Sequence, residues 1–264
     1  RLPAVGQPQF RDPEAALAFQ NAVVENARGS GREAAVVDAL SMRASLLTEL
    51  GRSDEARRDL AEARTNVDRL PNPALRQRAE EPVLAAESDF FRNTDPARAV
   101  AAATLAIERV SLRGERLRLA QLSLKLAKAN IVWGRLADAE GAIARGIQAF
   151  DEERSSLTDE GRVSTLDESW QLFDTAVQLA LRKKDYPRAF AMAERARART
   201  LAENKLTIAS RSLADVEQAL QPGEAVVALN QFENELAVWV IKRDGTTVVM
   251  RPVSRPDGQR LVAR

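Results

Sequence analysis

Four times along this chain an alanine early in a helix-like segment is followed, seven residues later, by a second small residue. Ala56, Ala99, Ala139 and Ala189 recur at intervals of 43, 40 and 50 residues, and their companions are Ala63, Ala106, Gly146 and Ala196. Residues seven apart share one face of a helix, and small side chains there let a neighbouring helix cross closely. A repeat of this length is one helical hairpin, which buries its apolar face only by stacking on the next. No other feature constrains the fold as strongly.

The hairpins read as 34–50 with 54–67, 76–92 with 96–110, 117–133 with 136–150, and 166–181 with 186–204. The turns between them carry Gly51, Asn93-Thr94-Asp95, Gly134 and Lys183-Lys184-Asp185. Gly51 and Gly134 each stand five residues before the anchoring alanine, where a glycine with positive φ ends the first helix. Asp12-Pro13 and Asp95-Pro96 place a capping acid before a proline at the first helical position, and Thr165-Leu166-Asp167-Glu168 has the form of a capping box. A helix over 13–27 precedes the array as the remnant of another repeat. The Gly29-Ser30-Gly31 turn after it follows no strand, so it does not read as a phosphate loop. Composition agrees: alanine abounds while aromatics make up 5% of residues, which suits helix packed on helix.

The chain contains no cysteine and no histidine. That removes thiol nucleophiles, imidazole bases, disulfides and zinc sites built on those residues. The charge, +1 from 39 basic and 38 acidic residues, gives no overall pull toward nucleic acid or an anionic membrane. No stretch approaches the roughly 20 apolar residues that span a bilayer. Nothing here requires a cofactor or a metal. The cytoplasm is the favoured location, an exported chain with a removed leader the alternative; oligomeric state is not legible.

After about residue 205 the period changes. A short helix over 213–220 ends at Gln221-Pro222-Gly223, and the runs 225–229, 236–241 and 246–253 are short, β-branched and bounded by turn residues. Asp244-Gly245 suits the two central positions of a type I′ hairpin turn. The run Leu236-Ala237-Val238-Trp239-Val240-Ile241 is apolar throughout, so a strand there wants cover on both faces. Too few residues follow to supply it.

The joint between the two parts resembles the CHAT family, the caspase-like domains found behind tetratricopeptide repeats in bacterial proteins. The resemblance is carried by Ala189-Phe190-Ala191-Met192-Ala193-Glu194-Arg195-Ala196-Arg197-Ala198-Arg199, which is similar to a last repeat helix leading into the peptidase domain. It continues through 213–220, Pro222-Gly223-Glu224-Ala225-Val226-Val227-Ala228-Leu229, and 236–241 with Arg243-Asp244-Gly245, with 259–264 opening the next helix. The fold it implies is mainly α: a tetratricopeptide-like helical-hairpin superhelix over 1–205, followed over 206–264 by the opening strands of an α/β caspase-like domain. Members of the family use a His–Cys dyad, which this chain lacks, so no catalytic role transfers to any position. The resemblance implies a scaffold, the sensing or substrate-holding half of a longer cysteine peptidase.

Such a superhelix presents a groove lined by the first helix of each repeat. The candidates for holding a protein or peptide partner there are Asp38, Ser45, Glu49, Ser88, Arg92, Lys128, Gln171, Gln178 and Arg182. A stand-alone adaptor without an enzymatic parent is the alternative. RNA binding by Arg188, Arg195, Arg197 and Arg199 is a weaker one, since Glu194 and Glu203 interrupt the stripe and no aromatic platform accompanies it. Asp151-Glu152-Glu153 and Asp159-Glu160 read as a solvated loop, and Trp133, Trp170 and Trp239 as packing residues.

Overall fold

The computed structural model of the chain describes residues 13–156, 166–203, 211–232 and 234–254. These form helices α1 (Pro13–Gly29), α2 (Glu33–Glu49), α3 (Ser53–Arg69), α4 (Pro73–Phe91), α5 (Pro96–Ser111), α6 (Arg116–Val132), α7 (Leu136–Ser156), α8 (Leu166–Arg182), α9 (Tyr186–Glu203) and α10 (Leu213–Ala219). Strands β1 (Ala225–Gln231), β2 (Leu236–Lys242) and β3 (Gly245–Arg251) follow. The fold is therefore mainly helical with a small antiparallel sheet, as the periodicity requires. The caps expected at Asp12 and Thr165, the pair Asp159-Glu160 and the helix expected from 259 lie outside the described residues.

The turn chemistry repeats with the hairpins. The N–H groups of Arg52, Arg135 and Asp185 donate to the carbonyls of Leu47, Asn130 and Ala180, five residues back, at 2.8–2.9 Å. The residue before each donor has positive φ: Gly51 at 74°, Gly134 at 80° and Lys184 at 58°. This is the Schellman motif, with lysine bearing a left-handed conformation in the last hairpin that glycine adopts without strain in the others. The four anchoring alanines, Ala56, Ala99, Ala139 and Ala189, are each 0% exposed.

The chain divides into two compact units, one ending at Ser156 and the other beginning after it. The sequence boundary near 205 differs because the fourth hairpin shares its core with the sheet: Val177, Leu181, Ala189, Phe190 and Ala193 pack with Leu213, Phe232, Ala237, Trp239 and Ile241. In the first unit α2 packs on α4 and α4 on α6, while α3, α5 and α7 each pack on the first helix of their own hairpin. Half-buried Arg43 and buried Asp59 tie α2 to α3 through a two-point ion pair, with both contacts at 2.7 Å.

In the second unit the strand order is β1-β2-β3. Lys242 stands opposite Gly245, so the loop residues are Arg243 and Asp244. Among the described non-glycine residues only Lys184 has positive φ. The expected type I′ turn at Asp244-Gly245 is therefore not formed: the loop lies one residue earlier, neither Arg243 nor Asp244 has positive φ, and Gly245 opens β3 instead. Ala237, Trp239 and Ile241 are buried on one face of β2, and Tyr186 and Phe190 meet the Trp239 ring edge-on, with centroids 6.3 and 6.0 Å away. Among the described residues the opposite face has no such cover: Val227 and Leu229 are 63% and 52% exposed beside half-buried Val238 and Val240.

Two further expectations are corrected. Asp151-Glu152-Glu153 is helical, because α7 continues past Phe150 and Glu152 accepts hydrogen bonds from Arg116 Nε at 2.8 Å and Gln148 Nε2 at 3.0 Å. Of the three tryptophans only Trp239 is a core residue; Trp133 and Trp170 lie at the surface, the former beneath the Arg135 guanidinium at 3.5 Å.

Candidate functional site

Three helices of the first unit, α2, α4 and α6, share a face built from charge. Along α2 the spacing of four, three and four residues puts Asp38, Met42, Ser45 and Glu49 in one stripe. Asp38 and Glu49 are exposed, and Met42, between them, is 57% exposed.

On α4 the carboxylates of Glu81 and Asp89 are buried. Burying a carboxylate is unfavourable unless cations and donors surround it, and each has them. Glu81 Oε1 accepts from Arg118 Nε at 2.8 Å and lies 2.6 Å from Arg118 Nη2, while Arg113 Nη2 reaches Oε2 at 3.4 Å. Arg118 Nη1 also donates to Gln121 Oε1 at 2.9 Å. Asp89 Oδ2 accepts from Ser45 Oγ at 3.1 Å and from Lys125 Nζ, and Oδ1 from Arg92 Nη1 at 3.3 Å. Asp89 therefore joins all three helices through a hydroxyl on α2 and an ammonium on α6.

The acids of α2 lie beside these bridged pairs. Asp38 is held above the ordinary carboxylate range, first by the crowding of the helices, which thins its hydration though it reaches water, and then by Glu81; Arg118 and Arg78 oppose the shift. Glu49 is raised the same way, first by desolvation and then by Asp89, against Lys125, Lys128 and Arg92. The face thus has an acidic edge on α2 and a basic edge on α6, where Arg118, Lys125 and Lys128 are half-buried.

The expected groove residues fall into three groups. Asp38, Ser45, Glu49 and Lys128 belong to helices of this face and Arg92 caps the C-terminal end of α4, and Ser45 and Arg92 both contact Asp89. Ser88 is 1% exposed and points into the core, so on α4 the contacting residue is its neighbour Asp89. Gln171, Gln178 and Arg182 lie on α8 in the second unit, exposed, half-buried and exposed respectively. Sequence reasoning missed Glu81, Asp89, Arg118 and Lys125. Their signal is a matched spacing, since Glu81–Arg118 and Asp89–Lys125 are separated by 37 and 36 residues, close to one repeat.

The arginines of α9 make local contacts: Arg195 lies 5.8 Å above the Phe173 ring, and Arg197 pairs with Glu194. The side chain of Arg199 lies outside the described residues. Among the described residues no group of three or more carboxylates is placed to hold a metal ion, and no helix is long and apolar enough to cross a membrane.

No protein-family model matches the chain, and no curated protein does. A solved structure is similar in fold: the crystal structure of BtubC (BKLC) from P. vanneervenii, with 21% sequence identity and a TM-score of 0.51. The alignment covers 78% of this chain and 79% of that one. At this identity the likeness speaks for a helical-repeat fold alone.

Proposed function

We propose that this chain is a protein–protein interaction scaffold whose α2–α4–α6 face forms the floor of a groove holding a segment of a partner protein. The observation that carries the reading is the row of exposed side chains on α2, Asp38, Met42 and Glu49, set over a layer fixed by the bridged carboxylates Glu81 and Asp89. A rigid base under accessible polar groups lowers the ordering cost of binding. The fold likeness supports the repeat architecture on which the reading depends. The uncovered apolar face of the sheet favours a second element: the chain serves as the sensing or substrate-holding half of a tetratricopeptide-repeat, CHAT-type cysteine peptidase, with the His–Cys dyad supplied by further sequence.

The test is comparative capture. Native chain and an Asp38→Lys/Glu49→Lys variant are immobilised and exposed to the same lysate of the source organism, and retained proteins are quantified. A protein retained by the native chain and reduced by about tenfold on the variant, the scale expected when charge complementarity is reversed, is the expected result. Equal retention by both would remove the face from the binding reading.

A further inference from the structure

We infer that the turn ends of the second and third hairpins form a docking point for an acidic, extended segment of another protein, held through Arg98 and Arg135. The inference goes beyond the proposed role of the α2–α4–α6 face and stands or falls separately from it.

Phe91 ends α4 and Trp133 is the C-cap of α6, so both rings lie where a first helix gives way to its second. Each carries a guanidinium from the residues that follow. Arg98 Cζ lies 3.8 Å from the Phe91 ring centroid, and Arg135 Cζ lies 3.5 Å from that of Trp133. A carbon so close obliges the guanidinium plane to lie along the ring, since an edge-on approach would push a nitrogen inside contact distance. The N–H donors of arginine all lie in that plane, so stacking covers one face and leaves the fork directed outward. Each ring thus orders a fork before any ligand arrives, which lowers the ordering cost of binding.

These two charges remain to be met. Arg98 and Arg135 are exposed, and among the described residues neither guanidinium pairs with a carboxylate. The acids of the same turns are not their partners: Asp95 accepts the backbone N–H of Arg98 as the cap of α5, and Asp138 makes no ion pair with Arg135. The first hairpin supplies the contrast, because Arg57, 5.8 Å over Phe90, pairs with Asp54 at 2.9 Å. Arginine and tryptophan are the residue types that carry most of the energy of protein interfaces. Val132, 46% exposed beside Trp133, adds apolar contact.

Spacing defines the ligand. Asp89 meets Lys125 and Glu81 meets Arg118, so a residue of α4 is level with one 36 or 37 positions later on α6. Phe91 is therefore level with position 127 or 128, and Trp133 stands about 8 Å further along the axis. With the axes about 8–10 Å apart, the two forks are about 12 Å from each other. Carboxylates four residues apart on an extended chain, about 13 Å, match that separation from one side. A nucleic acid fits less well: each ring already has a guanidinium on its face where a base would stack, and two cations neutralise few phosphates.

The experiment is an NMR titration of the whole chain with two synthetic peptides of one composition, their paired glutamates either four residues apart or adjacent. Arginine side-chain Nε–Hε signals report contact, and lysine variants assign those of Arg98 and Arg135. The four-apart peptide should shift both signals together and bind more tightly than its isomer. Arg98→Lys/Arg135→Lys keeps both charges but loses both forks, and should weaken binding by about tenfold with the remaining backbone spectrum unchanged. Equal binding by the lysine variant, equal binding of the two isomers, or no shift of either signal would overturn the inference. So would a single-stranded oligonucleotide that shifts the two signals at lower concentration than the peptide, which would assign the site to nucleic acid.

Discussion

The α2–α4–α6 face and the uncovered face of the sheet both meet solvent, yet they are built on opposite terms. On the helical face each buried carboxylate is bridged within the protein, Glu81 by Arg118 and Arg113, and Asp89 by Lys125, Arg92 and Ser45. Water can wet that surface without penalty, so a partner that docks there can also leave. On the sheet face the groups toward solvent are hydrocarbon, Val227 and Leu229 chief among them. Covering such surface gains about 25 cal/mol per Å², and a contiguous patch of it marks a surface made for contact. The two units thus differ in what holds them. The first adds electrostatic bridges between hairpins to a core of small side chains, whereas the second depends on one aromatic cluster behind a sheet.

The largest effect should come from breaking that cluster. Trp239 is 1% exposed and packs against Tyr186 and Phe190, so Trp239→Ala should cost about 3–5 kcal/mol, the range for emptying a large aromatic site. Its indole N–H has no hydrogen-bond partner, so the loss lies in packing. Native-state hydrogen exchange is the measurement. Protection should fall through β1–β3 and α9 while α2–α6 keep theirs. A loss spread evenly over both units would refute the claim that the sheet and the fourth hairpin form a core of their own.

The converse substitution is Asp89→Ala. It leaves Lys125, Arg92 and Ser45 facing a vacated site, and removing one member of a buried bridged set costs about 3 kcal/mol. The unfolding midpoint in urea should drop, with protection lost from α2, α4 and α6 and unchanged in the sheet. A loss under about 1 kcal/mol would assign these bridges to the class of solvated surface pairs, which contribute little.

Much of this contrast was legible in the sequence, and the exceptions are instructive. The alanine repeat located every hairpin because close helix crossing admits few side chains, and all four anchors are buried. Helix ends were readable where glycine or a capping acid fixes local geometry, as at Gly51, Gly134 and Asp95, whose side chain accepts from the Arg98 N–H at 3.1 Å. The compact units were not readable, because the affiliation of α8 and α9 depends on tertiary contacts with Trp239 and Ile241 rather than on period. On α4 the face was displaced by one residue, from Asp89 to Ser88. A serine and an aspartate side by side are equally polar in a pattern, and which one faces Ser45 and Lys125 is set by how α4 packs between α2 and α6. Asp38, Ser45 and Glu49 could be placed on one face from their spacing of seven and four residues, which returns to the same side of a helix.

The smallest effect concerns those two acids and has an unusual sign. Both carboxyls are raised above their ordinary range, so the folded state holds their protons more tightly than the unfolded chain does. Between the unfolded and folded pKa values folding takes up protons; stability therefore falls as pH rises through that window, and the full penalty is present above it. Asn and Gln remove the charge, so Asp38→Asn and Glu49→Gln should each stabilise the first unit at neutral pH. Because both side chains reach water, solvent screening holds the gain to about 0.5 kcal/mol or less. Lowering the pH below the ordinary carboxylate range should abolish it, since the native acids are then protonated in both states. Urea midpoints of the native chain and the double variant, compared at neutral and acidic pH, provide the measurement. Destabilisation at neutral pH would mean that the α2 acids are satisfied by Arg118, Arg78, Lys125 and Lys128 within the fold, leaving them nothing to offer a partner. A gain at neutral pH that vanishes in acid would mean the opposite. The first unit would then carry two negative charges that its own folding disfavours, and a cationic flank laid along α2 would relieve that cost at the moment of binding.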